Sequence, residues 1–133
     1  MIESNTKIVQ SLYEAYVSND EDAVRQILSD DIQWHIPGNH PLSETKKGLN
    51  DVLAFLSQLN KASFQASSNV VGYNDQFVID FHRNWSKLDG EDNLNNMSCL
   101  LWKIENKKIV EVFNFPEDQH KVGSSFKKVY TNE

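Results

Sequence analysis

The run Phe77-Val78-Ile79-Asp80-Phe81-His82-Arg83-Asn84-Trp85 divides into two unlike faces. With a side-chain period of two, Phe77, Ile79, Phe81, Arg83 and Trp85 share one side of a strand. Val78, Asp80, His82 and Asn84 share the other. Neither side is plainly the solvated one, so the strand is expected in a sheet covered on both faces. Flanking segments keep the same period. Strands are expected over residues 64–73, 76–87, 94–105 and 108–115, joined by short turns at Asn74-Asp75, Asp89-Gly90 and Asn106-Lys107. Short connections imply an antiparallel meander, because parallel neighbours need longer crossovers.

Upstream the period changes from two to that of a helix. Ile8, Val9, Leu12 and Tyr16, then Ala23, Val24, Ile27 and Leu28, recur at helical spacing. Asn19-Asp20 interrupts the run, with Asp20 as cap and Glu21 and Asp22 as the acidic first turn of a second helix. Asp30-Asp31 is expected to end that helix. Ile32, Trp34 and Ile36 then alternate with Gln33 and His35 until Pro37-Gly38. Residues 39–48 read as loop, and Leu49, Val52, Leu53, Leu56 and Leu59 mark a third amphipathic helix. In the tail, residues 117–130 suit a last helix with Val122, Phe126 and Val129 inward, although Gly123-Ser124-Ser125 weakens it. Helices first and a meander second make an α+β fold, with helices on one face of one antiparallel sheet.

Composition narrows the function. The chain has 133 residues, 39% hydrophobic and 24% charged, with a formal net charge of −6. This suits one domain over residues 1–133 and argues against a nucleic-acid partner, which needs clustered Lys and Arg. The lone Cys99 excludes a disulfide framework. No signal peptide or membrane span is read, so a cytoplasmic protein is expected. The four histidines show no metal-ligand spacing and no Gly-rich phosphate loop exists, so neither metal nor cofactor is expected. Ser43-x-x-Lys46 lacks the partner motifs of serine β-lactamases.

Which sheet face meets the helices decides where chemistry sits. Burial alone favours the Phe77/Phe81 side as core. The opposite choice places Asp80, His82 and Asn114 inside, where each must find hydrogen-bond partners. Whichever face is left outside displays a large apolar surface, and a second copy of the chain is the simplest cover for it.

The ordered set of Asp30-Asp31-Ile32-Gln33-Trp34-His35-Ile36-Pro37-Gly38, His40-Pro41-Leu42-Ser43, Phe81-His82-Arg83, Leu101-Trp102-Lys103-Ile104, Ile109-Val110-Glu111-Val112 and Asp118-Gln119-His120 resembles the SnoaL-like domains. These belong to the nuclear-transport-factor-2-like, or ketosteroid-isomerase-like, superfamily of cystatin-like cones. The resemblance implies a curved antiparallel sheet closed by N-terminal helices into a cone, with an enclosed pocket for a small, mostly apolar molecule. It implies that Asp80, His82, Val112 and Asn114 face that pocket, while Phe77, Phe81, Phe113 and Phe115 lie at a homodimer interface on the outer sheet face. Three departures matter. Where ketosteroid isomerases place their base, tyrosine and second acid, this chain has Ile36, Leu12 and a position near Leu100. Tyr13 and Tyr16 flank the tyrosine position without matching it. Steroid isomerisation is therefore not expected. The Asp-Arg-Asp set of epoxide hydrolases is not expected either, because the spacing of Asp80 and Arg83 puts them on opposite faces.

Two function classes follow. One is an enzyme of cofactor-free acid–base chemistry (an isomerase, cyclase or hydratase), with His82 as acid or base and Asp80 orienting it. Asn114, His40 or Asp118 would polarise the substrate, and Trp34, His35, Phe55 and Trp102 would line the site. The other is a non-catalytic small-molecule-binding or dimerisation module, in which a pure binder could have a cavity lined by Trp34, Phe55 and Trp102 with its histidines elsewhere. Taken singly, the plainer readings are the aromatics as core, Asp118 as a helix cap, His35 as a rim or packing residue and Asp80–His82 as a polar pair of the sheet.

Overall fold

Helical spacing at the N-terminus produces α1 (Ile2–Val17) and α2 (Glu21–Ile27). The break between them is the expected one. Asn19 takes a left-handed conformation (φ 55°), and the Asp20 N–H donates to the Ala15 carbonyl at 2.9 Å. The Asp20 carboxylate accepts the Ala23 N–H at 3.1 Å, giving α2 the capped, acidic first turn read from the sequence. The structure, a computed structural model, describes residues 2–38, 42–61, 65–85, 95–116, 122–124 and 127.

The rest of the chain forms β1 (Leu28–Ile36), β2 (Glu44–Lys47), α3 (Leu49–Lys61), β3 (Gln65–Tyr73), β4 (Phe77–Trp85), β5 (Asn95–Glu105) and β6 (Lys108–Pro116). One six-stranded sheet runs in the order β2-β1-β6-β5-β4-β3. The expected meander is present as β3 to β6. At the β3–β4 turn the Asn74 side chain accepts the Gln76 and Phe77 N–H groups at 2.9 and 2.7 Å, which is why Asn suits that corner. Of the expected tail helix, Val122 to Ser124 form a helical turn with Val122 buried. Phe126 and Val129 lie outside the described residues, as do the Asp89-Gly90 turn, His40 and Asp118.

The structure corrects four readings of the sequence. The sheet is not purely antiparallel, because β1 pairs with β6 in parallel. Asp30 and Asp31 do not end α2. They lie exposed inside β1, in the stretch where its register with β6 shifts, between the fully buried Leu28 and Ile32. Part of the presumed loop, Glu44–Lys47, is an edge strand on β1. Finally, β6 bulges at Val110, the extra residue between the Ile104–Ile109 and Lys103–Glu111 pairs. Ile109 and Val112 therefore both point inward and are fully buried, where strict alternation would separate them.

Inner and outer faces are settled by burial. Val78, Asp80 and His82 lie inside, at 0, 0 and 6% exposure, whereas Phe81 is 41% and Phe115 56% exposed outside. Beneath the helices the core joins Val9 and Leu12 of α1, Val52, Phe55 and Leu56 of α3, and Trp34, Trp102 and Val112 of the sheet. Gly48 starts α3 at φ +88°, and its N–H donates to the Ile32 carbonyl at 2.7 Å. A side chain there would adopt a backbone conformation that L-residues resist. Among the described residues no helix is long and apolar enough to cross a membrane.

Candidate functional site

The β-sheet register lays the inner-face residues out in rows. Val78, Trp102, Val112 and Trp34 form one row across β4, β5, β6 and β1. Asp80, Leu100 and Asn114 form the next, and His82, Ser98 and Pro116 the third. Asp80 and His82, two residues apart on β4, are thus neighbours on one buried surface.

A carboxylate at 0% exposure needs partners, and Asp80 has them. Its Oδ1 accepts the Leu100 backbone N–H at 3.2 Å, and its Oδ2 accepts the Tyr13 hydroxyl at 2.5 Å. The short second bond has the length of a charge-assisted one. His82 completes the group. Its Nδ1 lies 3.4 Å from the Tyr13 oxygen and 3.7 Å from Asp80 Oδ1. Because Tyr13 gives its hydrogen to Asp80, its oxygen offers Nδ1 a lone pair. Nδ1 therefore faces two acceptor oxygens, which favours the tautomer protonated there and leaves the basic lone pair on Nε2. The result is a relay from imidazole through phenol to carboxylate, of the kind that orients a general base.

Tyr13 is the residue that register reasoning set aside. Helical geometry resolves the matter. Tyr13 and Tyr16 flank Leu12, and the Tyr13 hydroxyl reaches Asp80 on β4. Tyr16 instead lines a cleft of about 300 Å³ between α1–α2 and α3, with Ala15, Val24, Leu53 and Leu56. Burial there pushes the Tyr16 hydroxyl above the usual phenol range. The only sequence signal for Tyr13 was a hydroxyl on the same helical turn as Leu12. Ser98, buried opposite His82 on β5, was likewise not singled out.

From this polar group a string of rings runs toward α3. Ring centroids are 5.9 Å apart for Tyr13–His82, 5.8 Å for Tyr13–Trp102, 5.4 Å for Trp34–Trp102 and 5.7 Å for Trp34–Phe55. Most of these contacts are edge-to-face, the geometry favoured by the ring quadrupole. Trp34, Phe55 and Trp102 are thus brought together beside Asp80 and His82, and Asn114 shares their face. His35 is not. It stands on the outer face, where Nδ1 lies 2.8 Å from Thr45 Oγ1, Nε2 lies 2.6 Å from Glu111 Oε2, and the ring stacks on Phe113 at 4.7 Å. As a residue in odd register to Trp34 and Ile36 it cannot share their side of β1. Arg83 is also outside, over the Trp85 ring at 5.0 Å, apart from Asp80 as the spacing required. Among the described residues no group of three or more His, Cys, Asp or Glu is placed to hold a metal ion.

Comparison with known proteins agrees with this architecture. The chain is similar to Bal32a, from a soil-derived mobile gene cassette, with TM-score 0.87 and 22% identity over 93% of this chain and 97% of that one. It is similar to a protein of unknown function with a cystatin-like fold from Xanthomonas campestris, with TM-score 0.82 and 28% identity over 92% and 97%. TerC, solved co-crystallised with polyporic acid, matches with TM-score 0.80 and 14% identity over 93% and 98%. Among curated proteins nothing matches the sequence. The SnoaL-like domain model matches residues 9–112, from the first buried valine of α1 to the inner-face valine of β6, and the chain belongs to the SnoaL-like domain family.

Proposed function

We propose that the chain is an enzyme that binds a small, mostly apolar molecule against the inner sheet face and moves a proton on it with its own side chains. The observation that carries this reading is the Tyr13 hydroxyl lodged between Asp80 and His82. In this reading His82 Nε2 takes or returns the proton, Tyr13 and Asp80 hold the ring and stabilise its charged form, and Trp34, Phe55 and Trp102 provide the apolar lining. Isomerisation, cyclisation and hydration all need such a step. Steroid isomerisation fits less well, since Ile36, Leu12 and Leu100 are buried apolar residues at or near the positions of its base and oxyanion donors. That TerC, of the same fold, was co-crystallised with polyporic acid supports a small-molecule site. His40 and Asp118 remain candidates for polarising the substrate.

A general probe tests the proton step. In 5-nitrobenzisoxazole a base removes the ring C–H proton, the electron pair forms a nitrile, and the N–O bond breaks to release a coloured phenolate. The expected outcome is turnover above buffer that falls about tenfold or more in His82→Ala, within the span ascribed to a positioned base. An unchanged rate in that variant would overturn the reading. Tight binding of small molecules with no proton transfer would turn it into the binding-module alternative.

For the outer face we propose a second copy of the chain as cover. Phe81, Cys99 and Phe115 stand in one row across β4, β5 and β6, and the two phenylalanines are the exposed ones. Such a row suits a twofold contact with itself.

A further inference from the structure

We infer that the cleft between α1–α2 and α3 binds an organic ammonium ion with a compact apolar body. The cleft shares no residue with the group around Asp80 and His82, so the inference stands apart from the proton-transfer reading. It is half-open and measures about 300 Å³. Small-molecule sites begin at about that size, and they combine apolar walls with a few polar groups. Here Ala15, Val24, Leu53 and Leu56 are buried apolar residues of the core, and Tyr16 adds a ring beside them. Asn60 Nδ2 donates to Asn19 Oδ1 at 3.3 Å, which ties α3 to the α1–α2 corner where both line the cleft.

Charge selects the class of ligand. The lining contains two carboxylates, Asp20 and Glu21, and no lysine, arginine or histidine among the described residues. Ala15 and Tyr16 belong to the last turn of α1, which carries no basic residue to offset the negative end of that helix. Groups that attract a cation are therefore gathered at one place, in a chain of net charge −6. Both carboxylates keep capacity for a ligand. Asp20 caps α2 through Oδ1, and a carboxylate has a second oxygen. The Glu21–Arg25 pair is long, at 3.7 Å, between side chains 63% and 45% exposed, so solvent already weakens it. An ammonium only donates, which suits a lining whose charged groups only accept. An anion would meet two carboxylates and a helix C-terminus, and a neutral molecule would forgo the Coulomb attraction.

Three probes of similar size test this with the full chain: 2-phenylethylammonium, 2-phenylethanol and the anion 3-phenylpropionate. Methyl-labelled protein is titrated with each. The signals of Val24, Leu53 and Leu56 report the cleft, and those of Val78 and Val112 report the inner face. The ammonium is expected to shift the cleft signals, with a dissociation constant about tenfold below that of the alcohol. The anion should bind more weakly than either. Asp20→Asn with Glu21→Gln keeps a good N-cap residue and removes both charges. The preference should then fall to about threefold or less, with binding of the alcohol retained. Ser57, exposed on α3, is part of the lining, and Ser57→Phe should fill the cleft and weaken the ammonium and the alcohol alike. Equal affinity for ammonium and alcohol, or a preference that survives the double substitution, would overturn the ligand class. Cleft signals unmoved by the ammonium at about 10 mM would overturn the site itself, whatever happens at the inner face.

Discussion

Asp80 illustrates how one buried side chain is made tolerable and useful by the same contacts. The Leu100 N–H and the Tyr13 hydroxyl replace its water, and both come from elements that the fold must bring together: β5 beside β4, and α1 across the sheet. The Asp80–His82 pairing was legible, because two residues two apart on a strand must share a face. Tyr13 was not, since no local pattern says which of two helical tyrosines meets a strand some 67 residues away. Tyr16, the other one, carries its own prediction. Its ordinary value of 10.0 is raised by burial, so between that value and the folded one only the unfolded chain ionises. Its contribution to stability is complete below pH 10 and is lost as pH rises, by up to about 1.4 kcal/mol per pH unit. Unfolding midpoints measured from pH 9 to 11 should fall less steeply for Tyr16→Phe than for the parent. Identical slopes would show that the hydroxyl is not protected.

At the scale of elements, periodicity located α1 to α3 and the four meander strands to within a few residues. The failures share a cause. Glu44–Lys47 is polar and lies at a sheet edge, where a strand needs no apolar run and lysines are an advantage, so composition reads it as loop. The bulge at Val110 keeps two buried residues of β6 on one side, which a two-residue period cannot anticipate. The turn between β5 and β6 was found, but its strain was not apparent. Asn106 and Lys107 both have positive φ, at 51° and 66°, as a tight two-residue hairpin requires. Asn adopts this conformation at less cost than Lys does. Lys107→Gly should therefore stabilise the protein by about 1 kcal/mol, seen as a rise of about 3 °C in thermal midpoint. A drop would show that the lysine side chain contributes more than its backbone costs.

For the whole molecule, the parallel β1–β6 pair is the step that no turn signal announces. It joins the first strand to the last across the entire meander, and it sets Trp34 in a row with Val112 and Trp102. The outer face makes a second whole-molecule claim. If two copies meet through it, sedimentation should give twice the chain mass. Phe115→Asp should then shift the protein to a single chain without loss of helix or sheet signal. A monomeric parent would contradict the proposed contact. Both faces depend on the curl that lowers α1 onto β4, and the His82 ring reports on that directly. Long-range ¹H–¹⁵N correlation spectra of the imidazole distinguish its two neutral tautomers. A relay through Tyr13 predicts the proton on Nδ1 in the parent and a shifted tautomer balance in Tyr13→Phe. A ring protonated on Nε2, with a spectrum indifferent to that substitution, would contradict it.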